Sequence, residues 1–333
     1  MLRIIGDICF ADWYFDKGKG VGSSIASGNN PFAKLQRNAE DFWIGNFECV
    51  CAESADHFVV RPEVLNCVPH LDLYGVANNH SMQIGDSGYK QTLQYLDSHG
   101  IPYIGSLSKK SRIFVHQNKK IGVLAFSMRP DNFTQQPLYW HLPDLSEIEK
   151  EIGMLAQCDY KIAYIHWGYE FMNRPNLEQR QLAHWLIDSG LDLVVGMHPH
   201  VGQGAEVYKG KHIFYSLGNT VFNMSWEPTR YGFIVNVDLS KLNPEVSSQY
   251  IYIGDDFFPE VVENVPTPFT RQFLDREVLV VEENEKYFAK ARQCNAQYTK
   301  VNRKAVIKRM WSMPLNEKIE LVRDFLNRRI LKR

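Results

Sequence analysis

Short apolar runs alternate with helical patterns along this chain, and each of the main runs stops at a residue able to hold a metal or a proton. Leu2 to Ile5 ends at Gly6-Asp7, and Phe42 to Asn46 ends at Asn46-Phe47-Glu48. Leu71 to Val76 runs into Ala77-Asn78-Asn79-His80, and Asp159 to Ile165 into His166-Trp167-Gly168-Tyr169-Glu170. Leu191 to Val195 breaks at Gly196 into Met-His-Pro-His. There an extended backbone puts His198 and His200 on one side, because side chains alternate with period two and Pro199 favours an extended neighbour. Apolar runs of this length, bounded by turn residues, read as buried strands. With helical patterns at 86–98, 145–156 and 176–189 between them, they specify an α/β domain.

Further strands are expected at 101–104, 113–115, 121–126, 213–217, 231–237 and 249–253, the 113–126 pair forming a hairpin. Residues 16–32, rich in Gly, Ser and Asn, read as a loop. Its Gly18 to Ser24 segment resembles a phosphate cradle, but the Walker spacing is absent. From Arg271 the chain turns helical and basic, with Pro314 breaking it into two helices. We therefore expect a domain at 1–270 and a basic helical extension at 271–333.

Composition excludes several classes. At 333 residues, 44% of them apolar and 23% charged, the chain can bury a large core as a globular protein. A net charge of -1 exerts no global pull on nucleic acid, and no nucleic-acid motif is present. The tail is different. Lys286 to Arg333 carries 14 Lys and Arg against Glu317, Glu320 and Asp324, about +11, which leaves about -12 on the remainder. In that tail Leu315, Ile319, Val322, Leu326 and Ile330 recur at helical spacing. Packing of this face on the main domain is expected, with peripheral docking on an anionic membrane or an acidic polymer as the alternative.

The N-terminus enters a strand without a leader pattern, and no apolar stretch approaches the roughly 18 residues that span a bilayer. A cytoplasmic location is the simplest expectation. The six cysteines form no CxxC pair, which fits reduced thiols.

Asp7, Glu48, Asn79, His80, His166, His198 and His200 all lie at or just beyond strand ends, where open α/β sheets gather their sites. Carboxylate and amide oxygens mixed with imidazoles suit two divalent ions, Mn, Fe or Zn, better than a closed structural zinc. Such a pair serves hydrolysis.

These blocks, GD, NFE, ANNH, HWGYE, GMHPHVGQ and YSLGN, resemble the bacterial capsule synthesis family CapA, or PGA-cap, whose fold is related to the calcineurin-like metallophosphoesterases. The resemblance covers roughly residues 1 to 240. It implies a four-layer α/β/β/α sandwich, with Asp7 and His200 on one ion, Asn79, His166 and His198 on the other, and Glu48 bridging. It also implies His80 beside the leaving group, and Glu170, Gln203 and Asn219 behind the ligands, orienting them. The sequence departs from that pattern at Cys9, where the calcineurin-like first motif has His, and at Met82-Gln83 and Thr220. The resemblance implies a metal-dependent hydrolase of a phosphoester or a γ-glutamyl amide, acting on an anionic small molecule or polymer beside capsule-synthesis machinery. The alternative is a non-catalytic, polymer-binding accessory protein.

Overall fold

A computed structural model describes residues 1–13, 16–54, 56, 58–263, 284–315, 318, 319 and 323. Among these, one sheet runs β16 (Pro259–Val262), β15 (Glu245–Ile253), β14 (Tyr231–Asp238), β1 (Leu2–Ile8), β2 (Phe42–Phe47), β5 (Leu73–Gly75), β6 (Tyr103–Ile104), with β13 (Asn219–Val221) pairing to β1. The second runs β11 (Gly202–Tyr208), β12 (Lys211–Leu217), β10 (Leu193–Met197), β9 (Tyr160–His166), β8 (Lys119–Ser127), β7 (Ser111–His116). A small ribbon joins β3 (Val50–Cys51) to β4 (Val59–Val60).

Strand alternation assigns each side chain to a layer. Ile4, Val123, Ile162 and Val195 point into the core between the two sheets. Their neighbours point outward: Ile5 under α3 (Gly85–Ser98), and Leu124, Ala163 and Val194 under α4 (Leu145–Met154) and α5 (Leu177–Asp188). The short α1 (Val21–Ala26) and α2 (Pro62–Leu65) cover the first sheet beside α3. The result is a four-layer α/β/β/α sandwich. Because β1, β2 and β5 run parallel to one another, as do β8, β9, β10 and β12, their carboxyl ends gather at one edge.

Local chemistry sets the boundaries. Asp144 with Glu147, and Asn176 with Gln179, form capping boxes that start α4 and α5. The expected hairpin turns at Gln117-Asn118, both at positive φ, which suits a two-residue turn between β7 and β8.

The loop expected at 16–32 is corrected. Its middle is helix α1, and Asp12 supplies the missing cap by accepting hydrogen bonds from the Ser23 N–H at 2.9 Å, the Ser23 hydroxyl, and the Gly18 N–H at 2.9 Å. A Cβ on Gly20 would lie 2.6 Å from Asp12 Oδ1, so the glycine admits this carboxylate.

The long helix α6 (Asn284–Ser312) lies against the sandwich through Tyr287, Tyr298, Val306 and Met310. The expected boundary at 270/271 lies outside the described residues, as do Val322, Leu326 and Ile330. Packing of the tail's apolar face is corrected for its described part, since Leu315 is 73% and Ile319 60% exposed. Among the described residues, no helix is long and apolar enough to cross a membrane.

Candidate metal centre

The site is assembled where both sheets end. Gly6 lets β1 approach the β12–β13 turn, since a Cβ there would meet Gly218 O at 1.9 Å. The ladder shifts register around Asp7, which aims its carboxylate across the edge. Asp7 Oδ1 accepts from Asn46 Nδ2 at 2.8 Å, and Oδ2 accepts from the His198 backbone N–H at 3.1 Å. Glu48 is held just past β2 by its N–H donating to Ile8 O at 2.8 Å. Asn78 shapes the next loop: its Nδ2 donates to Phe47 O at 2.8 Å, and its Oδ1 accepts from the His80 N–H at 3.2 Å.

The extended backbone expected at Met-His-Pro-His is corrected. His198 has φ +98° and His200 φ +57°, conformations that cost a non-glycine residue about 1–3 kcal/mol and persist where the surroundings hold them. Asp7 is one such hold. The two rings still lie 6.0 Å apart, centre to centre.

Three ligand-type atoms crowd together on one side of the site. His166 Nε2 is 2.7 Å from Asn79 Oδ1 and 3.0 Å from His198 Nδ1. Atoms about 2.1 Å from a common ion, at right angles, stand about 3 Å apart, so this spacing fits a shared cation. On the other side, His200 Nδ1 lies 2.9 Å from Asn219 Oδ1 and 3.6 Å from Asp7 Oδ2. Glu48 lies between the two halves, its Oε1 3.7 Å from both His166 Nε2 and His200 Nε2. Grouped by proximity, Glu48 joins His198 and His200 in one cluster and Asp7 and His166 in another, with ligand atoms within 4.8 Å of one another.

Electrostatics point the same way. Asp7, Glu48, His166, His198 and His200 are at most 1% exposed. Burial, reinforced by the neighbouring Asp7 charge, raises the Glu48 pKa well above the ordinary carboxyl value. Burial likewise raises Asp7, against the opposing pull of His200. His166 and His198 are held well below the ordinary imidazole value, first by burial and then by neighbouring imidazoles, so each neutral ring offers a lone pair on one of its two nitrogens. Both Glu48 oxygens and His198 Nε2 are buried without a hydrogen-bond partner. Ionising the two neighbouring buried carboxyls, Asp7 and Glu48, is costly, and a divalent ion is the kind of partner that offsets the cost. The residues therefore fit a metal.

His80 stands at the rim, its ring stacked on Phe58 at 3.8 Å and Nδ1 3.0 Å from Gln83 Oε1. Glu170 makes no hydrogen bond to an imidazole among the described residues; it lines a cavity over the site. Gln203 also acts at a distance. It accepts from Gln179 Nε2 at 3.1 Å and donates to Met172 O and Arg174 O at 2.8 and 2.9 Å, fastening the loop after β9. Cys9 is buried and joins neither acid–histidine cluster.

Two groups escaped the sequence reading. Asn46, in the sequence only the end of an apolar run, is 2% exposed, donates to Asp7, and lies 3.4 Å from His166 Nδ1. A polar amide inside such a run was its available signal. The second is a face of α6, whose Phe288, Arg292 and Asn295 line the same cavity. No motif marks it.

A four-layer α/β/β/α sandwich with buried carboxylates, amides and imidazoles at the shared strand edge defines a class: α/β proteins with a candidate metal centre on their strand-end loops. Within that class the family is settled by a match to the model described as "Bacterial capsule synthesis protein PGA_cap" over residues 2–224, and the chain belongs to that family. It is 34% identical over 230 residues to the PGA biosynthesis protein CapA of Bacillus subtilis, covering 61% of this chain and 59% of that one. It is 29% identical over 208 residues to the capsule biosynthesis protein CapA of Bacillus anthracis, covering 56% and 49%. The matched region thus spans less than two thirds of either relative. A solved phosphatase from Mycoplasma pneumoniae aligns with 75% of this chain and 92% of its own, at 13% identity and a TM-score of 0.46.

Proposed function

We propose that this protein is a metal-dependent hydrolase of capsule or surface-polymer biosynthesis, acting on a phosphoester or a γ-glutamyl amide. One observation carries the reading: Asn79 Oδ1 and His198 Nδ1 each lie within 3.0 Å of His166 Nε2, beside the buried carboxyl of Glu48. Asp7 and His200 would hold one divalent ion and Asn79, His166 and His198 a second, with Glu48 within reach of both. Mn, Fe or Zn suits this donor set. Bound there, the ions supply an acidified water and a positive field for the displaced oxygen.

The remaining steps belong to the chain. Asn46 fixes the Asp7 carboxylate, and Asn219 fixes the His200 ring with one nitrogen turned toward Glu48. His80, steadied by Gln83 and Phe58, donates a proton to the leaving group. The names of the relatives, with their capsule and PGA biosynthesis, support an anionic polymer or its fragments as substrate and an association with the synthesis machinery. The body at 1–270 carries the chemistry, and 271–333 is an appended basic element.

One observation favours a second reading, a polymer-binding accessory protein. The buried thiol of Cys9 stands where the calcineurin-like pattern has a histidine ligand. Assay of the metal-loaded protein against bis-p-nitrophenyl phosphate and a γ-glutamyl anilide separates the two. Turnover of either, lost in His198→Ala, supports the hydrolase, and inertness toward both with metal bound supports the accessory role.

A further inference from the structure

A cavity of about 750 Å³ opens directly over the metal centre, with Asn79 and His198 in its floor. One wall is the loop after β8, with Arg129 and Asn132; another is the loop after β9, with Tyr169 and Glu170. The remaining wall is α6. Phe288, Arg292, Asn295 and Ala296 lie on one helical face, since residues three, four, seven and eight apart stack along a helix. That face lies wholly beyond residues 2–224, which carry the family match.

The helix is fixed from both sides of this face. Tyr287 is 3% exposed, and its hydroxyl donates to Arg174 O at 2.9 Å. Tyr298 stacks on Phe171 at 4.1 Å, and Phe171 lies 6.3 Å from the His200 ring. Between these anchors, Tyr287 and Phe288 hold the Tyr169 ring at 6.0 and 5.3 Å, and the Arg129 guanidinium lies over that ring at 5.0 Å. The Arg129 Nε is buried without a hydrogen-bond partner. Helix α6 therefore supplies Arg292 and also backs the platform that aims Arg129. Two guanidiniums and one carboxylate, Glu170, are the charged groups of the cavity lining, beside the His198 imidazole of its floor. Planar guanidiniums hold carboxylate and phosphate oxygens in a paired geometry, and the excess of positive charge selects an oxyanion.

We propose that α6 forms the selecting wall of the substrate cleft, where Arg292, across from Arg129, holds an anionic group of the substrate beyond the bond that is cleaved. This rests on the hydrolase reading for the identity of the floor, but the oxyanion subsite can be tested without turnover. Arg292 and Arg129 are then positioning residues, and the recognised chemistry is a carboxylate or a phosphate.

The test is calorimetric titration of the full chain with glutarate and, separately, with inorganic phosphate. It compares wild type, Arg292→Ala, Arg292→Lys and the control Arg303→Ala, an exposed position on the same helix outside the cavity lining. A charged hydrogen bond contributes about 1.5–3 kcal/mol, so Arg292→Ala should weaken the preferred probe by about tenfold or more. Arg292→Lys should recover part of the loss, and Arg303→Ala should match wild type. Stronger binding of glutarate than of phosphate would assign the subsite to carboxylates, and the reverse to phosphates. Equal binding by wild type and Arg292→Ala, at equal thermal midpoints, would overturn the proposal, as would failure of wild type to bind either probe. Metal content measured on the same samples reports on the hydrolase reading separately. A metal-free chain that still loses probe binding in Arg292→Ala would keep the wall and remove the hydrolase.

Discussion

The floor and the roof of the cleft are built on opposite principles. The floor consists of short loops at strand ends, with ligand-type groups at most 2% exposed and two histidines held at positive φ. The roof is one face of a long helix, with Arg292 and Asn295 exposed and the backbone regular. A buried polar cluster must be satisfied to the last atom, so each floor residue depends on the others. An exposed helical face tolerates substitution at little cost. The chemistry of the floor is thus costly to alter, while the roof can change the substrate without disturbing it.

The strongest way to break this contrast is His198→Ala. It removes a nitrogen that packs 3.0 Å from His166 Nε2, and we expect metal loss together with about a thousandfold fall in hydrolysis. Retention of full metal content, read by elemental analysis, would remove His198 from the ligand set. His80→Ala comes next, with about a hundredfold fall in turnover and unchanged metal, since His80 belongs to neither acid–histidine cluster. A concurrent loss of metal would move His80 into the floor.

Asn46→Ala sharpens the same comparison. It orphans Asp7 Oδ1 in a buried setting, costing about 1–3 kcal/mol of stability and weakening metal affinity about tenfold to a hundredfold. Denaturant unfolding and a metal titration measure both. The acid pair adds a pH signature in chelated protein. Glu48 is raised above its ordinary 4.5, so the stability it contributes is fully present below that pH and is lost as pH rises through the raised folded value. The slope is at most about 1.4 kcal/mol per pH unit for one proton. Thermal midpoints of the chelated chain should therefore fall by this contribution from weakly acid to neutral pH in wild type, less so in Glu48→Gln, and Zn or Mn should restore them. At the roof the change is smallest: Arg292→Ala should weaken anion binding about tenfold while stability and metal content stay at wild type.

Much of the sandwich was legible because its strands are buried on both faces and read as continuous apolar runs. The strand β11 was not, because Gly202 to Tyr208 mixes glycine with polar residues, and its pairing with β12 supplies what the pattern lacks. Helix α1 was hidden for a similar reason. Its start depends on Asp12, a carboxylate from outside the segment. At the site, the clustered histidines and acids could be proposed from motif and strand position. Asn46 could not, since its partners stand 39 and 120 residues away in sequence. The helical character of 284–312 was plain, but nothing in its spacing told that Arg292 would face the cavity.

Metal content per chain, by elemental analysis of protein purified without a histidine tag and reconstituted with Mn, Fe or Zn, tests the central claim most directly. We predict about two equivalents, reduced in His198→Ala and in Asp7→Asn. No bound metal after reconstitution, in a chain that remains folded, would contradict a metal centre at these strand ends.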